Sequence, residues 1–441
     1  MMKSLGYNDA ISFLFSRLPM YQKVGGEAFK PGLENTLRLS LLYDNPHESN
    51  QYIHVAGTNG KGSVSHTLAS ILQAHGLNVG LYTSPHLKDF SERIRINGVC
   101  VEADFVIRFV HQLKLYFESG KIDFSPSFFE ITFLMSLVYF QEKAVDVAII
   151  ETGLGGEFDS TNIIRPLVSV ITNIGIDHTH ILGNSLESIA EAKAGIIKPQ
   201  TPVVIGRRQE ETVEVFSTKS QKLGASLYFS DTLFQLVDKG LSSEYDKRRL
   251  HITNLCNAVD YEASTDLANL CQVENMRTAL SAVHILNAVS SYNIDLVSIR
   301  QGLSSICSST GFCGRWQVVG HNPLMVLDTA HNADGVGMLM QQLLQVRYEK
   351  LHIVFGVVAD KDINKVLSLL PRTAMYYFVP AGNENKRSLE PKELAHTALR
   401  YGLVGNVYES VEQGFAKAKS SATSSDLVLA TGSTFVVAEL V

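Results

Sequence analysis

The stretch HVAGTNGKGSVSHTLASIL, from His54 to Leu72, constrains the fold of this chain more than any other. It opens as a short apolar strand, closes with apolar residues at helical spacing, and turns through Gly57, Gly60 and Gly62 between the two. A strand–turn–helix of this kind presents backbone N–H groups and a helix N-terminus to an anion, and Lys61 adds a point charge for the outer phosphates of a nucleotide. The general phosphate-loop spacing is met only in part: Val55 stands where its first glycine would be, and Gly62 follows the lysine directly. Thr58, Asn59, Gly60, Lys61, Gly62 and Ser63 are therefore the candidate phosphate-side residues of a variant nucleotide loop.

Around this turn, β-branched runs alternate with longer helical segments, the pattern of a parallel sheet covered by helices. YIHVAG, NVGLYTS, DVAIIET, VSVITNIG and TPVVIG read as strands, and SLESIAEAKAGII opens with a capping pattern at Ser185 or a neighbour. The region from about Gly206 to Asp266 is polar and weakly periodic. A small-residue stretch, SSICSSTGFCG, reads as a linker, and beyond it LMVLDTA, KLHIVFGVV, AMYYFVP, NVYES and DLVLATG start a second alternation. With 441 residues, more than one core is expected. The expected fold is α/β: a large N-terminal phosphate-loop domain over residues 1–305, a linker at 306–314, and a smaller Rossmann-like domain over 315–441. A net charge of −6 argues against a nucleic-acid coat, and no apolar run is long enough to span a bilayer. Five scattered cysteines without a Cys-x-x-Cys pair suggest neither a disulfide frame nor a zinc site. The N-terminus lacks a cleavage pattern, so the expected location is the cytoplasm.

Glu151 ends an apolar strand, at the edge where open parallel sheets bind ligands. A carboxylate there suits Mg²⁺ and equally suits a cap on a neighbouring loop. Lys193 reads from its helix as a solvated lysine, and His178 as a structural histidine, since imidazole is not a favoured Mg²⁺ donor.

HVAGTNGKGS resembles the loop of the amide-forming ATP ligases that include the Mur ligases, and in particular of folylpolyglutamate synthases, often bifunctional with dihydrofolate synthase. TSPHL (Thr83–Leu87), FFE (Phe128–Glu130), ETGLGG and DSTN (within Glu151–Asn162), IGIDHTHILG, AKAGIIK, GRWQ, LDTAHN and GVVADKD (Gly356–Asp362) continue the resemblance in order. It implies transfer of the γ-phosphoryl of ATP to a carboxylate, and displacement of phosphate from the acyl phosphate by the amine of L-glutamate. The acid would be dihydropteroate, a reduced folate, or both. It implies Ser84, Glu151 and His178 as metal ligands, a carbamylated Lys193, and catalytic roles for Lys61, Lys193 and His331. Asn275, Arg315 and Asp328 would contact ATP, the last two from the C-terminal domain. Ser127, Phe128, Phe129, Glu130, Phe158, Asp159 and Ser160 would surround the pterin-bearing substrate, where aromatic faces suit a flat heterocycle. Mg²⁺ with ATP is the implied cofactor, and a monovalent cation is a further candidate. No nucleic-acid or membrane partner is expected, and the chain is expected to act as a monomer.

Three departures stand out. Glu157 replaces the arginine of the family's Gly-Gly-Arg-Leu-Asp, Cys313 replaces the proline before Gly314-Arg315, and Asp328-Thr329-Ala330-His331-Asn332-Ala333 replaces Asp-Gly-Ala-His-Asn-Pro. Two other readings remain: a Mur-type ligase acting on a UDP-sugar peptide, and a nucleotide-binding protein without ligation.

Overall fold

The computed structural model describes residues 6–18, 32–359, 363–382 and 387–441. Asp360–Asp362, the end of the GVVADKD block, lie outside the described residues. The chain divides into two units. One comprises Met1–Gln235, Thr253–Asp260 and Glu274–Gly311; the other comprises Leu236–Ile252, Tyr261–Val273 and Phe312–Val441.

The strands of the first unit are β1 (Gln51–Ala56), β2 (Val79–Tyr82), β3 (Ile94–Ile96), β4 (Val99–Cys100), β5 (Val147–Glu151), β6 (Val168–Ile171), β7 (Val203–Ile205) and β8 (Leu227–Phe229). They form one sheet in the order β4-β3-β2-β5-β1-β6-β7-β8, parallel from β2 to β8, with β3 and β4 antiparallel at one edge. Its helices are α1 (Tyr7–Arg17), α2 (Glu34–Leu41), α3 (Lys61–Ala74), α4 (Ala103–Glu118), α5 (Phe128–Glu142), α6 (Thr179–Leu182), α7 (Leu186–Ala194), α8 (Glu210–Leu223), α9 (Ser230–Leu233), α10 (Gln272–Val289), α11 (Leu296–Ser304) and α12 (Ile306–Thr310). Strands β5 and β6 are buried at every position, which is why they read as unbroken apolar runs. One apolar cluster joins α4 and α5 to β2 and β5; another joins α7 and α8 to β6 and β7. The expected cap of α7 is Ser185, which accepts from Ser188 N–H at 3.2 Å, so a serine rather than a glutamate stands at the third helical position.

The polar region after Gly206 contains a three-stranded sheet of β9 (Phe234–Leu241), β10 (Arg248–Asn254) and β11 (Val259–Thr265) in the order β11-β10-β9. Buried positions alternate with exposed or half-buried ones in the first part of β10, and half-buried with exposed ones along β9, so each strand carries a more open face that dilutes the apolar signal. Arg248 in β10 is fully buried and donates to Ala268 O (2.9 Å), Gln342 Oε1 (2.6 Å) and Gln345 Oε1 (2.9 Å), with Asp238 as its ion-pair partner.

In the second unit, β12 (Gln317–His321), β13 (Leu324–Leu327), β14 (Leu351–Phe355), β15 (Met375–Phe378), β16 (Gly405–Val407) and β17 (Leu427–Thr431) pair in the order β12-β13-β17-β14-β15-β16. Only β12 is antiparallel among these described strands. Helix α13 (Ala333–Leu343) begins at Asn332, whose side chain accepts from Gly335 N–H at 2.9 Å. The stretch expected to be a linker is not one throughout: its first half is α12, whose small side chains let it pack on α3.

Candidate functional site

Strand β1 delivers the chain to Gly57 (φ +147°), and Gly60 (φ +82°) caps α3 in a left-handed conformation that glycine adopts without strain. The segment after β6 braces the loop. Thr58 N–H donates to Asn173 O and Asn59 N–H to Asn173 Oδ1, each at 2.9 Å, while the Thr172 hydroxyl donates to Asn59 O at 2.6 Å. The Thr58 hydroxyl accepts from Gly175 N–H at 2.9 Å. The first helical bond is Val64 N–H to Gly60 O, so the N–H groups of Gly60 to Ser63 precede it, the arrangement by which a helix N-terminus can receive an anion. The Thr58 and Asn59 amides serve the brace.

Two lysines converge on one carbonyl. Lys61 Nζ donates to Gly57 O at 3.1 Å and Thr58 O at 3.3 Å, and Lys193 Nζ, from α7, donates to Gly57 O at 2.9 Å. Lys193 is buried rather than solvated. Burial first, and then the Lys61 charge, pull its pKa from 10.5 down to about 7, against the opposing pull of Asp177 and Asp159.

Glu151 is buried at the C-terminal end of β5, in register with Val55 of β1, and its Oε2 accepts from Ser84 N–H at 3.2 Å. His178 has left-handed backbone at the start of α6; its N–H donates to Asp177 Oδ1 at 2.9 Å and its Nε2 lies 4.0 Å from Asp177 Oδ2. Among the described residues no group of three or more His, Cys, Asp or Glu side chains is arranged to hold a metal. Glu151 offers a carboxylate and Ser84 a hydroxyl, hard oxygen donors of the kind a divalent cation takes, and His178 would add an imidazole.

The pterin-side candidates separate. Ser127 and Glu130 cap α5 reciprocally: Glu130 N–H donates to Ser127 Oγ (3.1 Å) and Ser127 N–H to Glu130 Oε2 (2.5 Å). Phe128 is core, stacked on Phe15 at 5.4 Å between ring centroids. Phe129 is only partly buried and lies over the Gly153 backbone, so close that a methyl on Gly153 would sit 2.6 Å from its ring. Asp159 is buried, accepts from Leu154 N–H (2.7 Å) and Thr161 N–H (3.0 Å), and burial raises its pKa against those bonds. Phe158 is 50% exposed, Ser160 is partly buried, and Glu157 is exposed. Asn275, in the first turn of α10, packs against Gly60.

In the second unit, the buried Asp328 carboxylate accepts from Trp316 N–H (2.8 Å), Ala330 N–H (2.9 Å) and Asn269 Nδ2 (3.1 Å). Burial raises its pKa, and the Arg315 charge opposes that. Arg315 lies over the Phe312 ring at 5.8 Å, between the left-handed Gly314 (φ +77°) and Trp316 (φ +49°). His331 Nδ1 is 2.9 Å from Thr329 O; a carbonyl only accepts, so Nδ1 carries the proton.

A Mur ligase middle domain matches residues 55–283, and a Mur ligase glutamate ligase domain matches 314–434. The dihydrofolate synthase/folylpolyglutamate synthase of Bacillus subtilis (strain 168) is 31% identical over 444 residues, 98% of this chain and 98% of that protein. The chain belongs to the Mur ligases, in the folylpolyglutamate synthase/dihydrofolate synthase family. A probable bifunctional folylpolyglutamate synthase/dihydropteroate synthase of Haloferax volcanii is 32% identical over 98% of this chain, which spans half (50%) of that relative's length. A solved bifunctional folylpolyglutamate synthase/dihydrofolate synthase with Mn, AMPPNP and L-glutamate bound superposes with a TM-score of 0.81 at 31% identity, covering 99% of this chain and 97% of that one.

Sequence reasoning missed Asn173 and Arg93. Arg93 is buried, donates its Nε–H to His86 Nδ1 at 2.8 Å and lies over the Phe128 ring at 5.2 Å, with Glu151 among the charges that offset its burial. An arginine inside the alternating ERIRI run was the available signal. Gly60→Ala would set a methyl 2.1 Å from Asn275 Oδ1 at positive φ. It is expected to cost about 1–3 kcal/mol of stability and to weaken ATP binding. Thermal melts with and without ATP read both, and an ATP-induced shift equal to that of the unaltered chain would refute the loop assignment.

Proposed function

We propose that this chain is an ATP-dependent ligase that adds L-glutamate to dihydropteroate, forming dihydrofolate, and to the γ-carboxylate of reduced folates. The observation that carries the reading is the convergence of Lys61 and Lys193 on Gly57 O, at a braced loop whose strand β1 is in register with the buried Glu151. A carboxylate oxygen of the pteroyl acid attacks the γ-phosphorus, the β–γ bond breaks and ADP leaves. The glutamate amine then attacks the acyl carbon, inorganic phosphate departs, and a proton is released. The N–H groups of Gly60 to Ser63 and the Lys61 ammonium bind the phosphates and offset charge as it spreads over the transferring group. Glu151, Ser84 and His178 would hold Mg²⁺, which would supply neutralising charge to the phosphates of ATP.

Lys193 carries a carbamate in this reading. The amine at Nζ attacks CO₂ and loses a proton, one N–H remains for Gly57 O, and the new anion balances Lys61. Asn275 takes the adenine side, and Arg315, Asp328 and His331 are assigned the second unit's contacts with ATP and the acyl phosphate. Phe129, Phe158 and Ser160 are the accessible pterin-side residues; Ser127, Phe128, Glu130 and Asp159 shape that wall through the bonds and packing they already make. We place the protein in the cytoplasm as a monomer; its five cysteines are free, and among the described residues no helix is long and apolar enough to cross a membrane. A monovalent cation would accompany Mg²⁺.

The test is phosphate release from ATP with Mg²⁺ and L-glutamate, in parallel with dihydropteroate, with tetrahydrofolate and with neither, and with product masses read. A gain of one glutamyl unit on dihydropteroate establishes dihydrofolate synthesis, and a ladder on tetrahydrofolate establishes chain extension. Failure of both dihydropteroate and tetrahydrofolate to raise phosphate release above the control without an acid overturns the reading and makes UDP-sugar peptides the next substrates.

A further inference from the structure

Helix α3 runs from the phosphate loop past His66, which is 2% exposed and makes no contact that the chemistry above uses. Its Nδ1 lies 2.7 Å from the hydroxyl of Thr310, the fully buried last residue of α12. The Thr310 hydroxyl gives its own proton to Ile306 O, so it accepts from His66 and the imidazole proton sits on Nδ1. One turn further along α3, Ser70 Oγ donates to Gly302 O at 2.7 Å and lies 2.8 Å from Ser309 Oγ. Gly302 packs so tightly that a methyl there would lie 2.5 Å from Ile71 Cα. The last turn of the first unit is therefore fastened to the helix whose N-terminus forms the phosphate loop. After Thr310 comes Gly311, left-handed at φ +67°, where the first unit ends, and Arg315 follows four residues on.

We infer that His66 and Thr310 are positioning residues for Arg315: their buried hydrogen bond fixes, against the phosphate loop, the point from which the connection to the second unit departs. The inference rests on the ligase reading, in which Arg315 acts on ATP. The first half of the small-residue stretch is thus held within the first unit, which ends at Gly311. The polar residues of that stretch are the material of the fastening.

The experiment compares the full chain with the His66→Ala, Thr310→Val, doubly substituted and His66→Asn forms, measuring kcat, KM for ATP, the ATP dissociation constant and the melting temperature. His66→Ala and Thr310→Val are expected each to lower kcat about 10- to 100-fold, the scale of a small misplacement at the reacting centre, with little change in ATP affinity. The double form is expected to be no worse than either single one, because both remove the same bond. Asparagine places Nδ2 where histidine has Nδ1, so His66→Asn regains most of the lost kcat. A bond with only a structural role would lower the melting temperature and leave the kcat of the folded protein intact; that result overturns the inference, as does a His66→Asn form as impaired as the alanine form. Failure of the unaltered chain to release phosphate with any pteroyl acid overturns the ligase reading and this inference with it, an outcome distinct from the other two.

Discussion

Lys193→Ala is expected to lower glutamate-dependent ADP release about 10²- to 10³-fold, the cost of losing one preorganised group at the transferring phosphoryl, and added acetate or formate should restore part of it. The reason is the shared acceptor: with Lys193 charged, two cations crowd Gly57 O, whereas a carbamate leaves one cation and one anion there. Only the neutral amine reacts with CO₂, so incorporation of labelled CO₂ should rise as pH increases through about 7, the value to which burial and Lys61 pull this lysine. The folded chain binds fewer protons than the unfolded one between about 7 and 10.5. This group's share of stability is thus fully present above 10.5 and lost as pH falls through about 7. An unmodified Lys193 across that range, with an alanine form as active as the unaltered chain, would remove the carbamate from the mechanism.

Glu151→Gln is expected to cut kcat by a similar factor, about 10²- to 10³-fold, and to raise the Mg²⁺ concentration needed for half-maximal rate. Glutamine keeps the shape and an oxygen acceptor for Ser84 N–H, so the melting temperature should hold near that of the unaltered chain. What is lost is the charge at the sheet edge. A rate and a Mg²⁺ dependence both unchanged would make Glu151 a loop cap, the other reading its position allows.

The phosphate loop was legible because glycine spacing and the switch from apolar strand to helix are local properties of one short stretch. Its brace was not, since Asn173 lies 114 residues from Asn59 and a lone asparagine after a strand has no pattern of its own. Lys193 looked solvated because its own helix is polar on one side; its ammonium meets Gly57 O and its backbone lies against the turn through Gly156, contacts made far away in sequence. Helix α5 is apolar nearly all round, with eleven of its fifteen residues buried, so periodicity could not say that Phe128 faces the core while Phe129 reaches Gly153. The stretch Ser304–Gly314 shows the opposite failure. Serine, threonine and glycine are the composition of a flexible connector, yet small hydroxyl side chains also suit two helices in close contact, and α12 uses them so.

The division of the chain has a consequence for how such a protein can be taken apart or recombined. Leu236–Ile252 and Tyr261–Val273 belong to the second unit although both precede its main body, so the polypeptide changes allegiance five times. No single cut yields two self-sufficient pieces. A chain ended at Gly311 would keep Arg248 and lose Gln342 and Gln345, leaving a guanidinium built for the interior short of two of its acceptors. Exchange of the glutamate-ligase half between relatives by one crossover would carry the same defect, so a working chimera has to transplant the β9–β10 hairpin and the segment around Asn269 together with the C-terminal body.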